Sequence, residues 1–106
     1  MTTPTDRNRD LLTIIASLHA APGKSDELRK ELEEVVRNTV SQPGCVNYDL
    51  HEALEEPGTF FIYENWESLE RNQAHVAQPY LARFLGIMGE LLDERGITIT
   101  HLRRIV

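Results

Sequence analysis

Three Pro-Gly pairs, Pro22-Gly23, Pro43-Gly44 and Pro57-Gly58, cut this chain into segments whose apolar spacing switches between two periods. Proline fixes its φ and glycine admits left-handed backbone, so each pair ends a regular element. Before the first pair, Leu11 to Ala20 (LLTIIASLHA) is rich in Ile, Leu and Thr and predicts a strand. Between the first and second, Leu28, Leu32, Val35, Val36, Thr39 and Val40 recur at helical spacing. Ser25 is placed to cap that helix, with Asp26 and Glu27 in its first turn, where negative charge suits the dipole. After the second, Cys45 to Ala53 alternates, with Val46, Tyr48 and Leu50 on one face and Asn47, Asp49 and His51 on the other. Glu55 to Gly58 predicts a turn and Thr59 to Trp66 a third strand. Ser68 is placed to cap a short helix, and Pro79 suits the first turn of another. That second main helix carries the stripe Tyr80, Leu81, Phe84, Leu85, Met88, Leu91 and Leu92; Gly96 is expected to end it, with a last strand over Ile97 to Val106.

The order β-α-β-β-α-β is the ferredoxin-like arrangement of the α+β class. Two right-handed crossovers put both main helices on one face of a four-stranded antiparallel sheet. The other face needs a cover. The third strand carries Phe60, Ile62, Glu64 and Trp66 on one side and Phe61, Tyr63 and Asn65 on the other, and the first strand is apolar on both sides too. An antiparallel sheet with one face in water normally shows clean alternation. The expectation is a homodimer that packs its two open sheet faces together.

A chain of 106 residues with 41% hydrophobic and 26% charged residues is one ordinary globular domain, expected over residues 11–106. Residues 1–10 (MTTPTDRNRD) are polar and read as a mobile tail, without the apolar stretch of a signal peptide. A net charge of −6 argues against nucleic acid or an anionic membrane surface as partner. No apolar run approaches the roughly 20 residues that cross a bilayer. Cys45 is the single cysteine, so no intrachain disulfide forms, which fits a cytoplasmic location. The four histidines, His19, His51, His75 and His101, sit on separate elements without the short paired spacing of metal sites. There is neither a Gly-rich phosphate loop nor a nucleophile-elbow serine.

Candidate chemistry is concentrated in Gly58 to Tyr80, GTFFIYENWESLERNQAHVAQPY. This segment brings an indole (Trp66), an imidazole (His75, nine residues later), a phenol (Tyr80) and a carboxylate (Glu64) close together. Each also has a plainer reading. Trp66, Tyr48 and Tyr80 are residue types that fill cores. His75, near Leu69 and Val76, could cap a helix or bond a backbone carbonyl. Glu64 on an apolar face is costly unless paired, and an arginine such as Arg83 or Arg103 could pair it. Cys45 at a strand start reads as a small buried hydrophobe. Gly86 and Gly89 each cost roughly 1 kcal/mol against alanine in a helix and allow either close packing or room for a ligand.

The layout, with PGK after strand one, PGCVNYDL into strand two, FFIYENWES ending strand three and AHVAQPYLARF in the second helical region, resembles the antibiotic biosynthesis monooxygenase family. That resemblance covers residues 11–106 and implies a dimeric α/β barrel of ferredoxin-like fold. It implies oxygenation of a quinol or polyphenolic aromatic by O2 without flavin, haem or metal. Other members are isomerases, haem-degrading enzymes or proteins without assigned activity, so a family isomerase and a non-catalytic dimeric module binding a small aromatic ligand stand as alternatives. Haem-degrading relatives carry an asparagine in strand one and a histidine in the second main helix, and this chain has neither. Some ring oxygenases place an asparagine four residues before the tryptophan, where this chain has Ile62. Isomerising relatives carry a second histidine near Tyr80, which is missing, and the lysine pair Lys24 and Lys30 lies on the first helix.

A cofactor-free oxygenase needs a substrate that becomes an electron-rich anion, an apolar pocket, a base and exclusion of water. His75 is the natural proton acceptor. Trp66 supplies an aromatic wall and one donor. Glu64 shares the Trp66 face by period two and could orient His75 or hold a proton. Tyr48 and Tyr80 could bind a phenolate or quinone oxygen, and Phe60, Ile62, Phe84 and Met88 could line the pocket.

Overall fold

A computed structural model describes residues 11–106; the tail expected over residues 1–10 lies outside the described residues. Seven elements follow one another: β1 (Leu12–Ala20), α1 (Ser25–Thr39), β2 (Cys45–Glu52), β3 (Thr59–Trp66), α2 (Leu69–Val76), α3 (Pro79–Leu91) and β4 (Leu92–Leu102). The strands form one sheet in the order β2-β3-β1-β4, antiparallel at every pairing. This is the expected ferredoxin-like α+β arrangement.

The apolar stripes decide which face the helices cover. Leu28, Leu32 and Val35 of α1 and Leu81, Phe84 and Leu91 of α3 are buried in one cluster with Ile14, Ala16, Leu18, Phe60 and Ile62 of the sheet. Side chains alternate along a strand, so Ile15 and Phe61 fall on the opposite, helix-free face, and both are exposed there, as is Leu102 at the far edge. Thr13, Asn65 and Asn47 share that face, joined by hydrogen bonds from Thr13 Oγ1 to Asn65 Oδ1 and from Asn65 Nδ2 to Asn47 Oδ1 (2.9 Å).

Several expected details differ. Ser25 is the first residue of α1, not its cap; Lys24 holds that place without a side-chain capping bond. Val46 is exposed because the pairing of β2 with β3 shifts between Cys45 and Asn47, and this bulge takes Val46 out of the alternation. Val40 lies just past the end of α1 and is exposed.

The last strand starts five residues before the expected Ile97, and Gly96 lies inside it rather than ending a helix. The helical propensity of Leu92 to Arg95 loses to tertiary pairing: Leu92 opposes Ala20, and Ala21 N–H donates to the carbonyl of Leu91 at 2.8 Å. Gly96, at φ +62°, takes up a register shift against β1 that a side chain would strain.

Gly86 and Gly89 meet neither reading offered for them, since a Cβ at either would find nothing within 4 Å and neither lines the cavity described below. No helix among the described residues is long and apolar enough to cross a membrane.

Candidate functional site

The pairing register sets Tyr48, Glu64, Ile14 and His101 in one row across β2, β3, β1 and β4, all pointing toward the helices. Glu64 therefore stands on the buried face of a central strand. Trp66, two residues on, shares that face, and its Nε1–H donates to Glu64 Oε1 at 2.7 Å. Glu64 does not pair with an arginine: Arg83 is taken by Glu31 on α1 (2.7 Å), and Arg103 lies beyond the end of β4.

The chain reverses directly after Trp66. Ser68 caps α2 by accepting from the Arg71 N–H at 3.2 Å, as its residue type predicts. Gly44 seats this helix against the start of β2. Its φ is +84°, Glu67 N–H donates to its carbonyl at 2.9 Å, and a Cβ there would fall 2.3 Å from Cγ of Arg71. Two turns along α2, His75 lies back over the indole, with ring centroids of His75 and Trp66 4.8 Å apart and planes at 27°. Tyr48 meets the imidazole edge-on at 5.5 Å. Gln78 is extended and Pro79 opens α3, which places Tyr80 beside His75, with Nδ1 to hydroxyl 2.8 Å. The Tyr80 hydroxyl also lies 3.0 Å from Oγ1 of Thr39, at the end of α1.

Burial sets the electrostatics. Glu64 is 5% exposed, His75 3% and Trp66 0%. Burial pushes the Glu64 carboxyl up to about 7, outweighing the Trp66 hydrogen bond that favours the anion. Burial pulls His75 down to about 4, so the imidazole is neutral at physiological pH. The Tyr48 and Tyr80 phenols are both raised, chiefly by burial, and stay protonated. Cys45 is half-buried against the core with its thiol pushed up to about 11, in keeping with a small hydrophobe.

Between the sheet and α2 and α3 lies a cavity of about 210 Å³. Tyr48, Ile62, Glu64, His75 and Phe84 line it. Of the other residues read from the sequence, Trp66 and Phe60 are sealed in the core behind it, and Tyr80 and Met88 pack against the core without reaching its wall. Val76, Leu85, Ile99 and His101, all exposed, form its mouth.

Sequence reasoning passed over Asn72, Thr39 and His101. Asn72 is buried on the cavity wall one helical turn before His75, and its side-chain amide bonds no protein group among the described residues. The i, i+3 spacing from His75 was the signal for it. The arrangement thus offers a neutral imidazole, a carboxyl that titrates near neutrality and an unengaged amide in a largely apolar chamber. Such a set can bind a small aromatic ligand by its oxygens and move a proton.

The model of the family described as antibiotic biosynthesis monooxygenase matches residues 11–86. "Putative monooxygenase Rv0793" of Mycobacterium tuberculosis is 28% identical over 91 residues, covering 86% of this chain and 88% of that protein. "Uncharacterized protein sll1783" of Synechocystis is 24% identical over 83 residues, covering 78% of this chain, which spans 56% of that longer protein. Among solved structures, PA3566 from Pseudomonas aeruginosa superposes with a TM-score of 0.85 at 30% identity, over 91% of this chain and 95% of that one.

Proposed function

We propose, from the premise that this chain belongs to the antibiotic biosynthesis monooxygenase family, that it is a monooxygenase that oxidises a small quinol or polyphenolic aromatic with O2 and needs no flavin, haem or metal. The observation that carries this reading is one cavity lined by His75, Glu64 and Asn72 and otherwise largely apolar. Family membership and the names of relatives support the monooxygenase; the substrate class rests on the cavity chemistry.

His75, neutral above about pH 4, accepts a proton from a substrate hydroxyl. The resulting anion gives electrons to O2 in a largely apolar chamber, from which bound substrate displaces water. For a hydroquinone-type ring the balance closes without a co-reactant. The ring loses four electrons in all, one oxygen atom enters it, and the other leaves as water, yielding a hydroxyquinone. Glu64, which holds its proton up to about pH 7, donates a hydrogen bond to a substrate or product oxygen. Asn72 offers a second polar contact. Trp66 acts from behind the wall by stacking on His75 and holding Glu64 Oε1. A volume of about 210 Å³ is below the roughly 300–1,000 Å³ of drug-sized pockets, which favours one- or two-ring substrates. The exposed Ile15, Phe61 and Leu102 on the helix-free face support a homodimer packed through its sheet faces.

The test is oxygen consumption by the purified, metal-free protein with a panel of benzoquinols, naphthoquinols and three-ring anthrones, corrected for autoxidation. Protein-dependent uptake with the smaller quinols is expected, with His75→Ala lowering kcat/KM by roughly 10²-fold or more while the fold survives. Uptake unchanged in His75→Ala would remove the histidine from the reaction. Saturable quinol binding with no uptake across the panel would point to a binding module instead.

A further inference from the structure

A chain of hydrogen bonds runs from the site to the backbone of α1: His75 Nδ1 to the Tyr80 hydroxyl at 2.8 Å, that hydroxyl to Thr39 Oγ1 at 3.0 Å, and Thr39 Oγ1 to the carbonyl of Val35 at 2.6 Å. The first two contacts are each ambiguous in direction when taken alone. The last is not, because a carbonyl oxygen only accepts. Thr39 must spend its one hydroxyl hydrogen on Val35, so its oxygen can only accept from Tyr80. Tyr80 then spends its one hydrogen on Thr39, so the phenol oxygen can only accept from His75. Any other assignment leaves two lone pairs facing each other across one of these buried or part-buried contacts, which is unfavourable.

We infer that Thr39, acting through Tyr80, is a positioning residue that locks His75 in the Nδ1–H tautomer and leaves Nε2 as a bare acceptor facing the cavity. Two observations agree. Nε2 has no protein partner, yet no side-chain nitrogen or oxygen sealed from solvent lacks one among the described residues, so Nε2 opens onto accessible space. His75 also lines the cavity although it is almost wholly buried. Thr39 itself is fully buried and away from the cavity wall, so it has no route to a substrate except through Tyr80 and His75. A threonine hydroxyl on a helix competes for backbone carbonyls and gives no helical advantage, but here the back-bond at the end of α1 is what gives the chain of donors its direction.

The inference rests on the oxygenase reading for its catalytic consequence but not for the tautomer, and the two are measured separately. Nitrogen-15 NMR of the imidazole reports the tautomer in the absence of substrate. The wild-type protein at pH 7 is expected to show a protonated Nδ1 and an unprotonated Nε2. Thr39→Val keeps the shape but removes the hydroxyl, freeing Tyr80 to donate to Nδ1; the Nε2–H form is expected to gain at least half the population. With a quinol that the wild type turns over, kcat is expected to fall at least about twofold, in proportion to the Nδ1–H population lost, with KM little changed, and Thr39→Ser to restore both readouts. Wild-type His75 in the Nε2–H form overturns the inference outright, whether or not any variant folds. So does Thr39→Val that keeps the Nδ1–H signature. The expected tautomer in a protein that consumes no oxygen leaves the hydrogen-bond chain standing and sinks only the oxygenase reading.

Discussion

The two faces of the sheet handle buried polar groups in opposite ways, although the same strands build both. On the helix-free face, Asn65 is almost fully buried but makes hydrogen bonds with Thr13 and Asn47, and Asn47 reaches on to Asp49 (3.0 Å) and the Tyr63 carbonyl (3.2 Å). Its amide carries no charge and lies in a closed set of partners. On the helix side, the neighbouring position holds Glu64, equally buried, with Trp66 its single donor among the described residues and a carboxyl pushed to about 7. A satisfied neutral amide contributes structure, whereas a carboxyl left short of partners in an apolar chamber is a group held ready to change protonation. The difference marks the helix side as the place where chemistry can happen.

The largest effect expected from testing this contrast comes from side-chain deletion. Trp66→Ala should cost about 3–5 kcal/mol by chemical denaturation, because it leaves a cavity and takes the indole donor from Glu64. Phe61→Ala on the other face should cost under about 1 kcal/mol in dilute protein. A Phe61→Ala loss that matches that of Trp66→Ala and grows with protein concentration would show that this face is covered by a second copy of the chain.

Next in size is the pH dependence of stability. Glu64, raised from 4.5 to about 7, binds more protons when folded than unfolded, so its contribution falls as pH rises across that window, by about 3 kcal/mol. His75, lowered from 6.5 to about 4, binds fewer protons when folded, so its contribution rises with pH by a similar amount between about 4 and 6.5. The two slopes oppose each other where they overlap. These two groups should therefore leave the wild-type curve nearly flat from about pH 4.5 to 6.5, and Glu64→Gln should expose the rise due to His75. Asn65→Ala should lower the whole curve by about 1–3 kcal/mol without changing its shape. A Glu64→Gln curve parallel to wild type would mean that the carboxyl is not held in the way its burial implies.

The smallest effect belongs to the helix layer. Gly86→Ala and Gly89→Ala should each stabilise by up to about 1 kcal/mol, since the new Cβ meets nothing within 4 Å. A loss at either position, read from the denaturation midpoint, would show that another chain packs against α3.

Much of this was legible in the sequence, for identifiable reasons. Strand and helix order could be read because periods of 2 and 3.6 survive wherever one face is buried, as in Phe60-Ile62-Glu64-Trp66 and Leu28-Leu32-Val35. Glu64 and Trp66 could be placed on one face by period two alone. The bulge at Val46 was hidden, because no residue type announces an extra position in an alternating run. Leu92 to Arg95 were misread because good helix formers were captured by the end of β1. Thr39 passed as one more member of a stripe, since its use lies in a bond to Tyr80, 41 residues away.

By itself, the sequence determined the class of fold, the sidedness of the regular parts of its elements and the inventory of groups available for chemistry, because local spacing and residue type carry that information. Only the tertiary structure decided that Arg83 goes to Glu31 and leaves Glu64 to Trp66, that His75 stacks on the indole, and that Asn72 reaches the cavity. Pairing and burial depend on which distant elements meet, and protonation follows from burial. A residue list can name an imidazole and a carboxyl; the packing around them sets which one is neutral at pH 7.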